Sequence, residues 1–368
     1  MTKICHLSSV HFHQDTRVLY KECSSLAKKY ETHLIAVNDV PKVVNNVKVH
    51  TFPRFKSRLL RILFAPILMF FKAKEINAEI YHIHDPELIF CALALKFFFK
   101  KKIIFDVHEH IKKHFYSKPY HIPAFVTKII AFAYSFIENN LLNKFDLIIT
   151  ATPLIKEEIL PYNKNVKDIN NFPILKEYLS DSEQISNSKS VCYIGAITEN
   201  RGIKLMIDAL SLDESFELKL AGSFVSQKLE NEVKKMKSWE NVTYYGFQNR
   251  RKIYDIMKNS FAGLLLMKNT PNNINTFPNK MFEYMLAGIP IIVSDFSLWK
   301  EILKETNCAI FVNQNKPEEI IKAMNYLYKN PEIAKQMGRN GRDKVLSEYN
   351  WGKEEKKLYE LYEMLRDQ

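Results

Sequence analysis

The strongest constraint on this chain is an alternation that runs from end to end. In the first half KICHLSS, THLIAV, VKVHTF, EIYHIHD, KIIFDVHE and FDLIITA have strand character, and helical patterns near 16–29, 57–75, 86–98 and 123–142 separate most of them. SVCYIGA, FELKLAG, VTYYG, FAGLLLM, IPIIVS and AIFVN repeat the arrangement after a restart near residue 190. Strands that alternate with helices imply parallel sheets covered on both faces, the α/β class. The polar segment NNFPILKEYLSDSEQISNSKS has the composition of a link between domains. With 368 residues the chain is too long for one ordinary core. Two doubly wound, Rossmann-like domains facing each other across a cleft are therefore expected, over 1–175 and 176–345. In such sheets ligands bind at the carboxyl ends of the strands, so chemistry is sought at strand-to-helix junctions.

Composition narrows the function classes. The five cysteines are scattered with no C-x-x-C pair, which argues for reduced thiols and against a disulfide framework or a zinc site. MTKICHLSSV reads as a strand and not as a basic stretch before a secretory apolar core, so a cytoplasmic location is expected. The net charge of +12 is uneven: residues 1–170 hold 25 Lys+Arg against 15 Asp+Glu, and the remainder 28 against 26. All eleven histidines also lie in that first part. One half is thus expected to face an anion: nucleic acid, a phosphorylated substrate or lipid headgroups. No helix-turn-helix, zinc-finger or RNP pattern is present, which disfavours nucleic acid.

LLRILFAPILMFF (59–71) and IPAFVTKIIAFAYSFI (122–137) are apolar but shorter than the ~20 residues a spanning helix needs. Around the first, Arg54, Arg58, Arg61 and Lys72 fall on one stripe at helical spacing, the layout of a helix lying in a membrane interface. Lys96, Lys100, Lys101, Lys102, Lys112, Lys113 and Lys118 add charge beside further aromatics. An anionic membrane surface is the expected partner; an ordinary amphipathic helix with its basic face in water is the alternative.

Five stretches carry candidate chemistry. GAITENRGIKLMIDAL leaves a strand at Gly195 and enters a helix near Arg201, where free backbone N–H groups and a basic side chain suit a diphosphate. NTFPNKMFEYMLAGIPII reads as a short helix after Pro278, stopped by Gly288 and Pro290, with Glu283 off its apolar face and able to accept two ribose hydroxyls. IIFDVHEH ends a strand at His108 and Glu109, and an imidazole there can bond a substrate hydroxyl or a leaving phosphate. IYHIHDPEL supplies His84 and Asp85, and SSVHFHQDTRV supplies Asp15 and Arg17, as acceptor-side candidates. The His and Asp groups come from separate junctions and not from one helix with an i, i+4 metal pair, so no metal is expected.

At these residues the chain resembles the family 4 retaining glycosyltransferases of GT-B fold, of the bacterial polysaccharide-assembly type. The resemblance runs from VHFHQDTRVLYKECSSLAKKYETHLI through FDVHEH and YIGAITENRGIKLMIDAL to FPNKMFEYMLAGIPIIVSD and YNWGKEEKKLYELYEML. It implies transfer of a sugar from a nucleotide diphosphate sugar with retention, by front-face attack and without a bound metal or cofactor. It places donor binding in the second domain at Arg201, Lys204, Asn275, Lys280 and Glu283, and acceptor binding in the first. It implies that His108, with Glu109, acts near the donor sugar. It also implies a last helix, over 346–368, that crosses back to the first domain. Glu283 resembles the second acid of the family's E-x7-E motif, the ribose contact. Two positions depart: Asn275 stands in place of the first acid, and Ala196 in place of an arginine after the glycine. Lys280 is the candidate replacement for that missing charge. A polyprenyl-diphosphate-linked glycan is the expected acceptor, in cell-surface polysaccharide biosynthesis. A nucleotide-sugar epimerase of the same architecture, and a silent sugar-binding or membrane scaffold protein, remain alternatives.

Overall fold

The computed structural model describes residues 1–38, 40–108, 140–177 and 188–367. The expected helix near 123–142 falls almost wholly outside these residues, as do Glu109, Lys112, Lys113, Lys118 and the apolar stretch 122–137. The chain forms two compact units, Met1–Asn171 with Trp351–Gln368, and Phe172–Asn350. The boundary expected at 345 would cut the helix Pro331–Ser347, whose Val345 is buried in the second unit's core.

In the first unit β1 (Lys3–Phe12), β2 (Glu31–Val37), β3 (Lys42–Val44), β4 (Val47–Phe52), β5 (Ile80–Ile83), β6 (Lys102–Val107), β7 (Leu147–Thr150) and β8 (Val166–Asp168) form one sheet in the order β3-β4-β2-β1-β5-β6-β7-β8. Every pairing is parallel except the β3–β4 edge, and the order reverses direction between β1 and β5. Alternation along the strands decides what each face holds. Cys5, Leu7, Tyr81, Ile83, Ile103, Phe105 and Val107 join the helices Arg58–Ile76 and Ile89–Phe99 in the main core. Val18, Leu19, Cys23, Leu34, Ala36, Val47 and Val49 make a smaller core under the π-helical turn Thr16–Cys23. Between those apolar patches, His6, His82, His84 and Asp106 are buried polar residues. The C-terminal helix Trp351–Arg366 belongs to this unit: the Trp351 indole N–H donates to Ser25 Oγ and the Tyr359 hydroxyl to the Ser25 carbonyl.

The second unit has β9 (Ser190–Ile194), β10 (Glu217–Ala221), β11 (Val242–Gly246), β12 (Ala262–Leu265), β13 (Ile291–Ser294) and β14 (Ala309–Val312) in the wholly parallel order β11-β10-β9-β12-β13-β14. The order reverses between β9 and β12, which makes the carboxyl end of β9 a switch point where a crevice opens. All five cysteines are free and buried, as reduced thiols should be.

Candidate functional site

In the second unit the candidate donor residues gather around the carboxyl end of β9. Gly195 leaves that strand at φ +107°. The chain then makes the short turn Glu199–Arg201, capped by the Thr198 hydroxyl accepting from the Arg201 amide, and passes through Gly202 at φ +76° into the helix Ile203–Leu210. Arg201 therefore precedes the helix and does not stand in its first turn. A Cβ on Gly202 would lie 1.8 Å from the Leu266 carbonyl oxygen, so only glycine lets this turn press against the end of β12. Arg201 Nη1 donates to the Ala196 carbonyl at 3.2 Å, and the Tyr193 hydroxyl donates to the same oxygen at 2.9 Å. The carbonyl at the position lacking the family's arginine is thus what aims Arg201.

The helix Asn279–Ala287 ends at Gly288 with φ +74°, the left-handed cap that the sequence indicates. Its burial is wider than the expected stripe: Met281, Phe282, Tyr284, Met285, Leu286 and Ala287 are all buried, which leaves Glu283 half-buried. Tyr284 carries no signal in the sequence, yet its hydroxyl accepts from the Ile194 amide at 3.2 Å and ties this helix to the end of β9. Lys280 lies across Gly195, whose hypothetical Cβ would be 2.5 Å from Lys280 Cε and 2.7 Å from Nζ. Its ammonium sits 5.4 Å from the centre of the Tyr193 ring. Burial, and then the Arg201 charge, bring the Lys280 pKa down to about 8, against an opposing pull from Glu283. Two cations and a carboxylate therefore sense one another at the switch point, the arrangement that holds a diphosphate beside a group with free hydroxyls.

Two expected donor residues are placed otherwise. Lys204 pairs with Glu232 at 2.7 Å. The Asn275 amide donates to the Pro271 carbonyl at 3.3 Å and closes the short helix Pro271–Ile274.

In the first unit His108 directly follows β6 and is half-buried. Its Nε2 lies 3.1 Å from Asp106 Oδ2 and 3.3 Å from His84 Nδ1. Burial pushes its pKa down to about 4, so the imidazole is neutral near pH 7 and can accept or donate one hydrogen bond. The acceptor-side candidates are mostly interior. Arg17 grips Asp106 through Nε at 3.0 Å and Nη2 at 2.9 Å, and donates from Nη1 to the Ile169 carbonyl at 2.8 Å. Burial alone would raise the Asp106 carboxyl, but Arg17 holds it well below the usual range. His84 is buried. Asp85 Oδ2 accepts from Ser8 Oγ at 2.7 Å, the Ser9 amide at 2.6 Å and the Val10 amide at 3.2 Å, which shapes the end of β1. Asp15 caps the turn Thr16–Cys23, accepting from the Arg17 and Val18 amides, and lies 3.1 Å from His11 Nδ1. Direct acceptor contact by Arg17, His84 and Asp85 gives way to a supporting role, because buried charges must find partners within the protein.

Histidines from separate strands are brought together in this unit. Parallel pairing sets His6 opposite His82, alternation returns His84 to the same face, and Glu22 reaches them from the turn Thr16–Cys23. IYHIHD shows this in sequence, as histidine at every second position of a strand.

The basic stripe is inverted. Arg54 precedes the helix Arg58–Ile76 and lies 5.4 Å from the Phe12 ring centre. Arg61 turns toward the protein, pairs with Glu87 at 2.6 Å, and shares its side of the helix with buried Ala65, Met69 and Ala73 and half-buried Lys72. The outward face carries Leu59, Leu63, Phe64, Ile67 and Phe71, all exposed, while Arg58 lies on the inward stripe and is exposed as the helix's first residue. Small Ala65 and Ala73 let the helix sit close to the sheet, and that fixes which face is turned out.

Two family models match: Glycosyltransferase Family 4 over residues 16–171 and Glycosyl transferases group 1 over 176–344. Together they span most of the chain, and it is a glycosyltransferase. An uncharacterized glycosyltransferase of Methanocaldococcus jannaschii is 23% identical over 98% of this chain and 96% of its own. Among solved structures, sucrose-phosphate synthase from Thermosynechococcus elongatus superposes with a TM-score of 0.79 at 15% identity, covering 100% of both chains. Anabaena HepE, in complex with UDP and glucose, gives 0.74 at 15% identity over 99% of this chain and 100% of that one. These likenesses establish the fold as GT-B, two Rossmann-like α/β domains.

Proposed function

We propose that the protein moves a sugar, with retention, from a nucleoside diphosphate sugar to a glycan carried on a polyprenyl diphosphate, in the assembly of a cell-surface polysaccharide. The observation that carries this reading is the grouping of Arg201, Lys280 and Glu283 at the carboxyl end of β9. Arg201 and Lys280 take the diphosphate, where fixed positive charge stabilises the charge that grows on the leaving group. Glu283 accepts the ribose hydroxyls. Neutral His108 serves as a hydrogen-bond partner for a sugar hydroxyl. The two cations do the work a divalent ion does elsewhere, so transfer itself needs no metal. The complexes of Anabaena HepE with UDP, UDP-glucose, and UDP with glucose support a nucleoside diphosphate sugar as donor.

The exposed apolar face of the first unit supports a lipid-borne acceptor met at the inner face of the cytoplasmic membrane. No described helix is long and apolar enough to cross a membrane. Phe97 and Phe98 are 62% and 79% exposed on the helix Ile89–Phe99, next to the outward face of Arg58–Ile76, with Phe70 and Phe99 in contact at 5.9 Å between ring centres. Apolar side chains beside the exposed Lys74 suit the boundary between acyl chains and anionic headgroups.

The test is incubation with labelled nucleotide sugars, with and without membrane lipid extract. Nucleotide release that requires the extract supports the reading, and epimerised sugar or binding without turnover rejects it. Arg201→Ala and Glu283→Ala should each lose transfer with the fold intact; full activity in both contradicts the site.

A further inference from the structure

We propose that the first unit carries a structural binding site for one divalent transition-metal ion of zinc type, formed by His6, His82, His84 and Glu22. One ligand atom from each of the four lies within 4.8 Å of the others, and all four residues are buried. His6 Nδ1 and His84 Nε2 are 2.9 Å apart, and Glu22 Oε2 is 4.0 Å from each. Around a tetrahedral ion bound at about 2.0–2.1 Å, ligand atoms stand about 3.3 Å apart, so the observed spacings bracket that value.

The outer nitrogens are already engaged in the way that bound histidines require. Tyr362 of the C-terminal helix meets His82 Nδ1 at 2.8 Å and His6 Nε2 at 3.1 Å, and Asp106 Oδ2 lies 3.2 Å from His84 Nδ1. Such contacts fix each ring's tautomer so that the opposite nitrogen presents a lone pair. Of the inner atoms, His6 Nδ1 and His84 Nε2 share a single contact with each other. His82 Nε2 and both Glu22 carboxylate oxygens are buried without a hydrogen bond, although Arg17 Nε lies 3.0 Å from Glu22 Oε1. Buried polar atoms left unpaired are costly, and a cation would satisfy all of them together.

Charge agrees with geometry. Two buried carboxylates, Glu22 and Asp106, face the single guanidinium of Arg17. Either a proton or a metal ion resolves this, and three convergent imidazoles favour the metal. Imidazole and carboxylate donors select zinc over calcium or magnesium. The ion would join β1, β5 and the turn Thr16–Cys23, and through Tyr362 it would pin the C-terminal helix. It takes no part in the transfer proposed above.

The experiment uses the full chain with its affinity tag removed. Metal analysis after zinc-supplemented expression should give about one zinc per chain. Chelation should lower the melting temperature by several degrees, with recovery on adding zinc, and cobalt should give the visible absorption of a four-coordinate site. Glu22→Gln and His82→Gln should lose at least nine-tenths of the bound metal, while His50→Gln, at a separate histidine pair, keeps it. If Glu22→Gln and His82→Gln do not fold, the chelation and zinc-return measurements on the unmodified chain decide. Zinc retained equally by the cluster variants, or no binding and no change in melting temperature with zinc, would overturn the proposal. Neither readout depends on sugar transfer, so the two readings stand or fall separately.

Discussion

Lys280 lies over Gly195 so closely that a methyl group there would be 2.5 Å from its Cε. The glycine is needed twice, since its φ of +107° is also one that side chains rarely adopt. Gly195→Ala should therefore displace Lys280 and strain the turn, with about 1–3 kcal/mol lost from stability. Donor affinity should fall about tenfold, the result of one moved phosphate ligand. Calorimetric titration with a nucleoside diphosphate, together with thermal unfolding, checks both; unchanged affinity would separate Lys280 from donor binding.

Lys280 also sets a pH dependence. Its ammonium is the form that binds phosphate, and burial with Arg201 lowers its pKa to about 8. In free enzyme the cation is lost as pH rises through that value, so kcat/KM should fall on the alkaline side from near pH 8. Lys280→Met should remove this limb and lower kcat/KM about a hundredfold, as loss of one stabilising donor does. A profile for the variant that kept the same alkaline limb would assign the titration to another group.

Much of this site is legible in the amino-acid sequence, because strand ends, glycines and a short capped helix leave local signs. Gly195 and Gly288 are read from turn chemistry and Glu283 from its place off the apolar face of a short helix and from the family resemblance, whereas Gly202 is not singled out. The supporting residues are not legible in this way, because their roles come from register between distant segments. Asp106 meets Arg17 across 89 positions, and Tyr362 meets His82 across 280. The outward face of Arg58–Ile76 escapes a reading by spacing for a related reason. Spacing finds a stripe, but small Ala65 and Ala73 decide which stripe packs inward, and Arg61 follows them because Glu87 waits there.

Asp85 is expected to matter for stability first. Its Oδ2 accepts from the Ser8 hydroxyl, the Ser9 amide and hydroxyl and the Val10 amide in a buried setting. Asp85→Ala would leave those donors unpaired at about 1–3 kcal/mol each, partly offset by entering water. Denaturant unfolding should show a loss of about 2–4 kcal/mol. A loss below about 1 kcal/mol would mean that the loop after β1 re-forms without the carboxylate.

The stacked pair His33–His50 gives a second pH test, independent of substrate. His33 Nδ1 and His50 Nε2 are 2.8 Å apart, and burial lowers both pKa values from 6.5. The unfolded chain therefore binds more protons than the folded one as pH falls below about 6.5, and stability declines in that direction. Above that pH both states hold neutral rings and the effect vanishes. His50→Gln should lessen the drop in melting temperature between pH 7 and pH 5, while a drop equal to that of the unmodified chain would place the acid sensitivity elsewhere.

The outward apolar face predicts where the protein goes. Phe97 and Phe98 end the helix Ile89–Phe99, and Phe64, Ile67 and Phe71 project from the neighbouring helix. Each buried aromatic contributes about 1.5–3 kcal/mol when removed from water, so two lost phenylalanines should cost a large share of membrane affinity. Phe97→Ser with Phe98→Ser should reduce flotation with anionic vesicles at least tenfold. Changing Arg54 and Arg61 to Glu should matter less, since Arg54 stacks on Phe12 and Arg61 is held by Glu87. Charge reversal that abolished flotation while the double serine variant still floated would restore a basic-stripe mode of binding. Equal flotation by every variant would remove this face from the membrane contact altogether.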